Sequence, residues 1–287
     1  FPTTGNVVQG NYIGTDAGGA NALPNIDNSG GAVLVRAAGN TIGGTAPGAG
    51  NVIAGNNGSG VVIGMLFGNV PPANNNLVAG NLIGTAADGV TPLGNTGRGI
   101  HIGFFSPASQ NTIGGTTASA ANTIANNRLA GVFVESNSNR NAILGNSIHS
   151  NGSLGIDLSP NGPTPNDPGD ADTGANELQN FPVITSSSTS GGNTSVSGTL
   201  SSKPNTTYRL EFFGNVGCDE SGFGEGRTFL AARNVTTDAT GVVTAASVSV
   251  PVSSFDSGNR SRDSNMIEAT EAYMSWVKVA MPHFRGR

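Results

Sequence analysis

The stretch NVVQGNYIGTD, residues Asn6–Asp16, returns seventy positions later as NLVAGNLIGTA, residues Asn76–Ala86. Between the two copies the sequence changes almost everywhere. In each copy, two or three β-branched or aliphatic residues are followed by Gly or Asn, a pattern typical of a very short strand that ends in a tight turn. A phrase that returns at a fixed distance indicates a repeat architecture, in which one local structure is stacked several times.

Further phrases repeat at nearly the same distance. NTIGG begins at Asn40 and again at Asn111, and NVIAGN at Asn51 returns as NTIANN at Asn122. A third kind of phrase begins with Gly and continues with alternating aliphatic residues: GAVLV, GVVI, GIHI, GVFV and GIDL. The sequence therefore predicts five units of three short strands. These units begin near Asn6, Asn40, Asn76, Asn111 and Asn141.

Parallel stacking of the units explains why the phrases repeat while the loops vary. Strands ~4.8 Å apart must place an apolar side chain inward, and must turn, at the same points of every unit. Asparagines at the corners are expected to form ladders that satisfy backbone groups stranded by the turns. An up-and-down antiparallel barrel is the rival fold, but it does not require a three-strand unit. The predicted inward column consists of Ile13, Ile42, Ile53, Ile83, Ile113, Ile124 and Ile148.

The alternation of N-x-I-x-G-N-x-I-G-T with N-T-I-G-G and the Gly-led phrases resembles that of bacterial secreted or surface proteins with a right-handed parallel β-helix, the pectate-lyase-like fold. The resemblance extends over residues 5–180. Its last part, NDPGDADTGANELQNFP, is similar to the segment that leads such proteins into a small β-sandwich. The resemblance implies an all-β protein at the cell surface or outside the cell. It leaves the activity open, because this fold carries lyases, polygalacturonases and adhesins alike.

From about Val183 simple alternation replaces the repeated phrases. Stretches such as TYRLEFF and GVVTAASVSVPV, separated by the turn signals KPNT and DATG, predict an antiparallel β-sandwich. We therefore divide the chain into a parallel β-helix, residues 1–180, and a β-sandwich domain, residues 181–287. The tail of this domain is atypical, because it holds the only tryptophan, Trp276. Its sequence predicts a short helix or strand with a basic end. The acids Asp219, Glu220 and Glu225 lie on a Gly-rich stretch, which indicates a solvated loop or a ligand-binding one.

Charge and composition restrict the partners. Only 11% of the 287 residues are charged and the net charge is −5, which argues against a nucleic-acid ligand. No run of about 18 apolar residues is present, so no membrane-spanning helix is expected. The single cysteine, Cys218, has no partner for an intramolecular disulfide, and no signal peptide is visible. We expect a secreted or cell-surface monomer.

Chemistry is expected on the outer face of the third strand of each unit. The middle residue of each Gly-led phrase points away from the core, and stacking aligns these residues roughly 5 Å apart. Arg36, Arg98 and Glu135 flank the same face. An aromatic ring can stack on a sugar ring while polar groups bond its hydroxyls, so the face predicts a groove for a polysaccharide or cell-surface glycan, with Phe133 and Arg36 as binding residues. The predicted outward column is Val33, Val62, His101, Phe133 and Asp157.

The same face holds residues that glycan cleavage would use. Hydrolysis takes two carboxylates, about 5.5 Å apart for retention or 6.5 to 9.5 Å apart for inversion, and Glu135 and Asp157 lie on adjacent units. A lyase would need a base, and no lysine precedes Lys203. The candidate catalytic residues are Glu135, Asp157, His101 and Arg98. No complete lyase, polygalacturonase or serine-hydrolase motif is present, so plain surface, glycan binding and catalysis all stay open.

One segment has the composition of a metal site. Asp167, Asp170, Asp172 and Glu177 offer the hard oxygen ligands that calcium prefers, although their spacing is not that of an EF-hand. Calcium would then link the two domains. The alternative is a rigid interdomain turn, set by Pro168 and Gly169.

Two functional hypotheses follow. The first is a carbohydrate-active protein that binds a polysaccharide on the lateral face, with cleavage by hydrolysis or elimination left open. The second is a non-catalytic surface or adhesion module, in which the coil is a spacer that presents loops such as GMLFGNVPPANN, residues 64–75.

Overall fold

A computed structural model describes residues 4–64, 72–160, 162–215, 223, 225–251 and 276–277. Nearly all regular structure in these ranges is β-strand, and two short 3₁₀ turns occupy residues 118–120 and 175–178. Within the same ranges, no helical segment has the length and apolarity required to cross a bilayer. The loop residues 65–71, the residues Cys218, Asp219 and Glu220, and most of the C-terminal tail lie outside the described ranges.

The first fifteen strands form three parallel sheets of five strands each, and consecutive strands along the chain belong to consecutive sheets. Sheet 1 contains β1 (Val7–Val8), β4 (Thr41–Gly43), β7 (Leu77–Ala79), β10 (Thr112–Gly114) and β13 (Ala142–Leu144). Sheet 2 contains β2 (Tyr12–Ile13), β5 (Val52–Ile53), β8 (Leu82–Ile83), β11 (Thr123–Ala125) and β14 (Ser147–His149). Sheet 3 contains β3 (Ile26–Val35), β6 (Asn57–Gly64), β9 (Ile100–Phe104), β12 (Val132–Val134) and β15 (Ile156–Leu158).

These sheets form a parallel β-helix of five coils with three strands per coil, which confirms the predicted repeat unit. We number the coils 1 to 5 along the chain. The right-handed sense expected from the resemblance is also that of nearly all parallel crossover connections.

The seventy-residue spacing arises because odd and even coils carry different insertions. Coils 1 and 3 extend the corner between sheets 2 and 3, and each insertion contains one antiparallel bridge, from Thr15 to Ala22 and from Thr85 to Pro92. The two insertions contact each other directly, since the Ala87 N–H donates to a carbonyl of the coil-1 insertion over 2.9 Å. Coils 2 and 4 instead extend the corner between sheets 1 and 2. The same phrase therefore returns in every second coil.

The core of the β-helix is the predicted aliphatic column. Its six members in coils 2 to 5 are at most 2% exposed, whereas Ile13 in coil 1 is half-buried against the same core. Fully burying an isoleucine side chain contributes about 1.5 to 3 kcal/mol, so this column supplies much of the stability of the coil.

Asparagine ladders run along all three corners, as predicted. In each ladder the side-chain Nδ2 and usually the backbone N–H of one asparagine donate to the Oδ1 of the asparagine in the next coil, with Nδ2–Oδ1 distances of 2.8–3.3 Å. The first ladder is Asn6, Asn40, Asn76, Asn111, Asn141 and Asn176. The second is Asn11, Asn51, Asn81, Asn122 and Asn146. The third is Asn25, Asn56, Asn95, Asn127 and Asn151.

The residues after the coil form two three-stranded antiparallel sheets, which confirms the predicted β-sandwich class. One sheet contains β16 (Val183–Ser190), β17 (Asn193–Ser201) and β20 (Val242–Pro251), and the other contains β18 (Thr207–Gly214), β19 (Thr228–Thr236) and β21 (Trp276–Val277). Val196 and Leu200 of the first sheet pack against Tyr208 and Phe212 of the second in one buried cluster. In the tail, Trp276–Val277 is a strand that pairs with β18.

The sandwich covers the last coil. Glu225 accepts hydrogen bonds from the Ser150 and Asn151 N–H groups, where a further asparagine of the third ladder would otherwise accept. Glu211 accepts from the Gly145 N–H over 2.8 Å, beside the end of the second ladder. Carboxylates from the second domain therefore take the place of a sixth coil at these two corners.

Candidate functional site on the third sheet

The register of sheet 3 places the predicted outward residues side by side. Val62 pairs with His101, His101 with Phe133, and Phe133 with Asp157. The prediction for coil 1 is wrong by one residue, because Leu34 pairs with Val62 while Val33 pairs with Val61. The phrase GAVLV has two residues before its Val-Leu-Val run, whereas GVVI has one residue before its Val-Val-Ile run. Val33 therefore packs against the core instead.

The column is not an open groove. His101, Phe133 and Asp157 are only 3%, 4% and 2% exposed, although they point away from the aliphatic core. The Arg98 guanidinium lies 4.0 Å from the centre of the Phe133 ring, and the Phe104 ring lies 4.9 Å from that of His101. Arg98 thus occupies a face of the ring that was expected to receive a sugar.

His101 and Glu135 form a hydrogen-bonded pair, with 2.9 Å between Nε2 and Oε1. Burial, and then the Arg98 charge, lower the pKa of the His101 imidazole to about 4 against the opposing effect of Glu135. The ring is therefore neutral at neutral pH. Because a carboxylate can only accept, the neutral ring carries its proton on Nε2. The Glu135 side chain is 33% exposed and forms the solvent-facing end of this pair.

Asp157 is the second carboxylate of the site. It accepts a hydrogen bond from the Gly162 N–H, 3.1 Å from Oδ1. Burial raises the pKa of Asp157, while the Gly162 hydrogen bond and the Arg98 charge act in the opposite direction. Burial likewise lowers the pKa of Arg98, and the Glu135 and Asp157 charges counteract it. We call Arg98, His101, Phe133, Glu135 and Asp157 the third-sheet cluster.

Two separations across the site follow from the strand pairing. Glu135 lies two residues beyond Phe133, the partner of Asp157, so the Cα atoms of the two acids are about 8 Å apart on adjacent strands. Arg36 follows β3, three strands away from β12, and is exposed at a distance on the order of 14 Å from Glu135. The structure brings Arg98, His101, Glu135 and Asp157 together and leaves Arg36 apart.

The predicted metal ligands are separated into two groups. Ligand oxygens of Asp167, Asp170 and Asp172 all lie within 4.8 Å of one another, and we call these residues the aspartate cluster. Glu177 instead forms an ion pair with Lys203. Asp170 also has a structural role, because its carboxylate accepts from the Asn180 N–H and the Ser202 hydroxyl, over 2.7 and 2.6 Å.

Glu225 was misjudged from the sequence. Glu225 is 8% exposed and caps the coil, although its Gly-rich surroundings indicated a solvated or ligand-binding loop. Near this cap, His149 is half-buried, and burial followed by the Arg227 charge lowers its pKa to about 4. The one sequence signal for this cap is Asn151. It is the last asparagine of the third ladder, so its N–H requires an acceptor from outside the repeated units.

Comparison of the sequence with protein-family models and with curated proteins gives no match.

Proposed function

We propose that the chain is an extracellular carbohydrate-binding protein whose ligand, a polysaccharide or cell-surface glycan, contacts the third-sheet cluster. Glu135 and Arg98 are the contact residues, since both reach solvent while His101, Phe133 and Asp157 support them from below. The extracellular location is supported by the repeat resemblance and the low charge of the chain.

The observation that carries this proposal is a group of ionisable side chains on a coil built mainly from uncharged residues. Burying charged groups costs free energy unless they are paired, and a simple spacer has no need of them. In this cluster His101, Asp157 and Arg98 all have pKa values shifted by burial and by one another. Perturbed ionisable groups concentrate at functional sites, which favours a binding or catalytic role for this face.

Within that proposal, binding is better supported than cleavage. Hydrolysis would need Asp157 or Glu135 to reach the glycosidic oxygen, and Asp157 is 2% exposed and already bonded to Gly162. The raised pKa of Asp157 would suit a general acid, and Glu135 directly follows the strand adjacent to that of Asp157. Cleavage is therefore the second candidate.

The non-catalytic surface module without glycan affinity is the remaining alternative. This alternative is favoured because residues of the cluster already bind one another. His101 forms a hydrogen bond with Glu135, and the Arg98 guanidinium packs over the Phe133 ring. Of the loop that such a module would present, residues 64–75, the part 65–71 lies outside the described ranges.

A panel of neutral, acidic and amino polysaccharides, assayed for both binding and released ends, separates these functions. Arg98→Gln and Glu135→Gln should each weaken binding at least about tenfold, which corresponds to about 1.4 kcal/mol. Arg128→Gln is the matched control, because Arg128 is an exposed coil arginine outside the cluster.

Retention of a glycan without released ends would support the binding function. Released ends that disappear in Asp157→Asn would establish cleavage instead. No retention on any member of the panel, or equal weakening by the control, would overturn the proposal.

A further inference from the structure

Phe105 is an exposed aromatic residue at a backbone position that favours glycine. At the end of β9 the Ser106 N–H donates to the Gly103 carbonyl over 3.2 Å and closes a turn. Phe105 is the third residue of this turn and has a φ of +60°, a conformation in which glycine or asparagine is usual. Its side chain is 69% exposed. Neither the backbone nor the core of the coil therefore requires a phenyl ring at this position.

Phe105 ends a row of aromatic rings that begins inside the third-sheet cluster. The ring centroids of Phe133 and His101 lie 5.3 Å apart. Those of His101 and Phe104 lie 4.9 Å apart, and those of Phe104 and Phe105 lie 4.2 Å apart. The Phe133 end of the row is buried under the Arg98 guanidinium. A single exposed apolar side chain is common on protein surfaces, but Phe105 is the exposed end of this row and can offer a ligand the ring face that Phe133 cannot.

The turn that contains Phe105 lies beside the solvent-facing carboxylate of the cluster. A Cβ at Gly103 would lie 2.8 Å from the Glu135 Cβ, so the turn begins in contact with Glu135. The Glu135 side chain is 33% exposed, and its hydrogen bond to His101 uses Oε1. Because a carboxylate has two acceptor oxygens, Oε2 can accept a hydroxyl proton from a ligand. An apolar ring and a hydrogen-bond acceptor are therefore exposed at neighbouring positions.

The charges of the third-sheet cluster disfavour an acidic ligand. Two carboxylates, Glu135 and Asp157, stand against the single guanidinium of Arg98. His101 adds no charge at neutral pH, because burial lowers its pKa to about 4. The charge of Arg98 already interacts with both carboxylates. The cluster thus has no surplus positive charge for the carboxylate of a uronic acid, and an uncharged sugar fits it better.

We infer that Phe105 stacks on a sugar ring of the ligand, and that this ligand is a neutral polysaccharide of the β-linked glucan class. The inference rests on the proposed glycan-binding function and names its substrate class. In a β-linked glucopyranose the hydroxyls are equatorial, so each face of the sugar ring presents C–H groups that pack on an aromatic ring. A hydroxyl at the rim of the same sugar donates to Oε2 of Glu135.

Titration of the full chain with a soluble β-glucan and with polygalacturonate tests this inference. Phe105→Asn removes the ring and introduces a residue that tolerates a positive φ, so it should weaken glucan binding at least about tenfold without lowering stability in urea. Phe105→Trp keeps an aromatic face and should retain the binding. Tyr12→Asn is the matched control, because it removes an exposed aromatic ring from sheet 2. Polygalacturonate should bind the unmodified chain at least about tenfold more weakly than the glucan.

Fluorescence of Phe105→Trp gives a direct readout that does not depend on the stability of Phe105→Asn. Its emission should shift when glucan is added, whereas that of the unmodified chain, which has only Trp276, should not. Unchanged emission at saturating glucan would overturn the inference. Equal glucan affinity of Phe105→Asn and the unmodified chain, or tighter binding of polygalacturonate than of glucan, would do the same.

The outcomes also separate this inference from the proposed function. If Glu135→Gln weakens glycan binding and Phe105→Asn does not, the proposed function stands and the role of Phe105 is refuted. If no polysaccharide binds, both are refuted. Sedimentation is the last arm, since a dimer that Phe105→Asn dissociates would make the ring a contact between two copies of the chain and would also overturn the inference.

Discussion

Replacing one interior ladder asparagine should destabilise the protein far more than replacing the exposed ladder asparagine of coil 1. The Asn81 side chain makes five hydrogen-bond contacts: its Oδ1 accepts from the Asn51 N–H and Nδ2, and its Nδ2 contacts the carbonyls of Ile42 and Ala79 and the Oδ1 of Asn122. At roughly 1 kcal/mol each, these contacts sum to about 5 kcal/mol. Because two Nδ2 protons serve three acceptors, we expect Asn81→Ala to lower the free energy of unfolding by about 4 kcal/mol.

The edge residue of the same ladder is the matched control. The Asn11 side chain donates only to Asn51 and to the Gln9 carbonyl, and it is exposed, so water can replace both contacts. Asn11→Ala should therefore cost less than about 1 kcal/mol.

Urea unfolding followed by circular dichroism measures both values, provided that the slopes of the transitions agree. A loss below about 1 kcal/mol for Asn81→Ala, or equal losses for the two variants, would refute the view that the ladders stabilise the coil through buried hydrogen bonds.

Four further predictions concern other parts of the molecule. Glu225→Ala should lower the melting temperature more than Glu225→Gln, which keeps one acceptor oxygen for the end of coil 5; equal shifts would exclude a capping role. Gly84→Ala should cost about 3 kcal/mol in urea unfolding, because its Cβ would lie 2.0 Å from a carbonyl oxygen at a φ of +90°, whereas Gly39→Ala, with open space, should cost about 1 kcal/mol. Since the folded-state pKa of His101 is about 4 and its usual value is 6.5, its contribution to stability is complete above pH 6.5 and is lost as the pH falls towards 4. That loss of about 3 kcal/mol should be missing when the free energy of unfolding of His101→Gln is measured against pH. An unchanged dependence on pH would contradict the lowered pKa of His101. Finally, calcium should raise the melting temperature through the aspartate cluster and a chelator should lower it; no shift at saturating calcium would remove the predicted site.

The repeated phrases were sufficient to predict the coil. Each residue type in these phrases has a role that recurs in every coil. The asparagines bond backbone groups at the corners, the glycines permit the turns, and the isoleucines fill the inward positions. Gly43 shows how strict the constraint is, because a Cβ there would lie 2.0 Å from the Ala79 carbonyl oxygen. The number of coils, the three ladders and the buried column could therefore be derived from the sequence without any long-range information.

The candidate site could be predicted only in part. Strand pairing brought His101, Phe133 and Asp157 into one column, as the phrases indicated. The packing of Arg98 over Phe133 was not predictable, because it depends on side-chain conformation across two strands.

Burial of the lateral face, the pairing of Glu177 with Lys203 and the capping of coil 5 by Glu225 were decided by the tertiary structure. Glu225 meets Ser150 across 75 positions of the chain, and Gly145 meets Glu211 across 66. Each of these contacts occurs only once and joins two segments of unrelated sequence. No repeated sequence pattern therefore predicts them. The features that recur in every coil could be predicted from the amino-acid sequence. The contacts between the coil and the sandwich occur once each, and only the tertiary structure determined them.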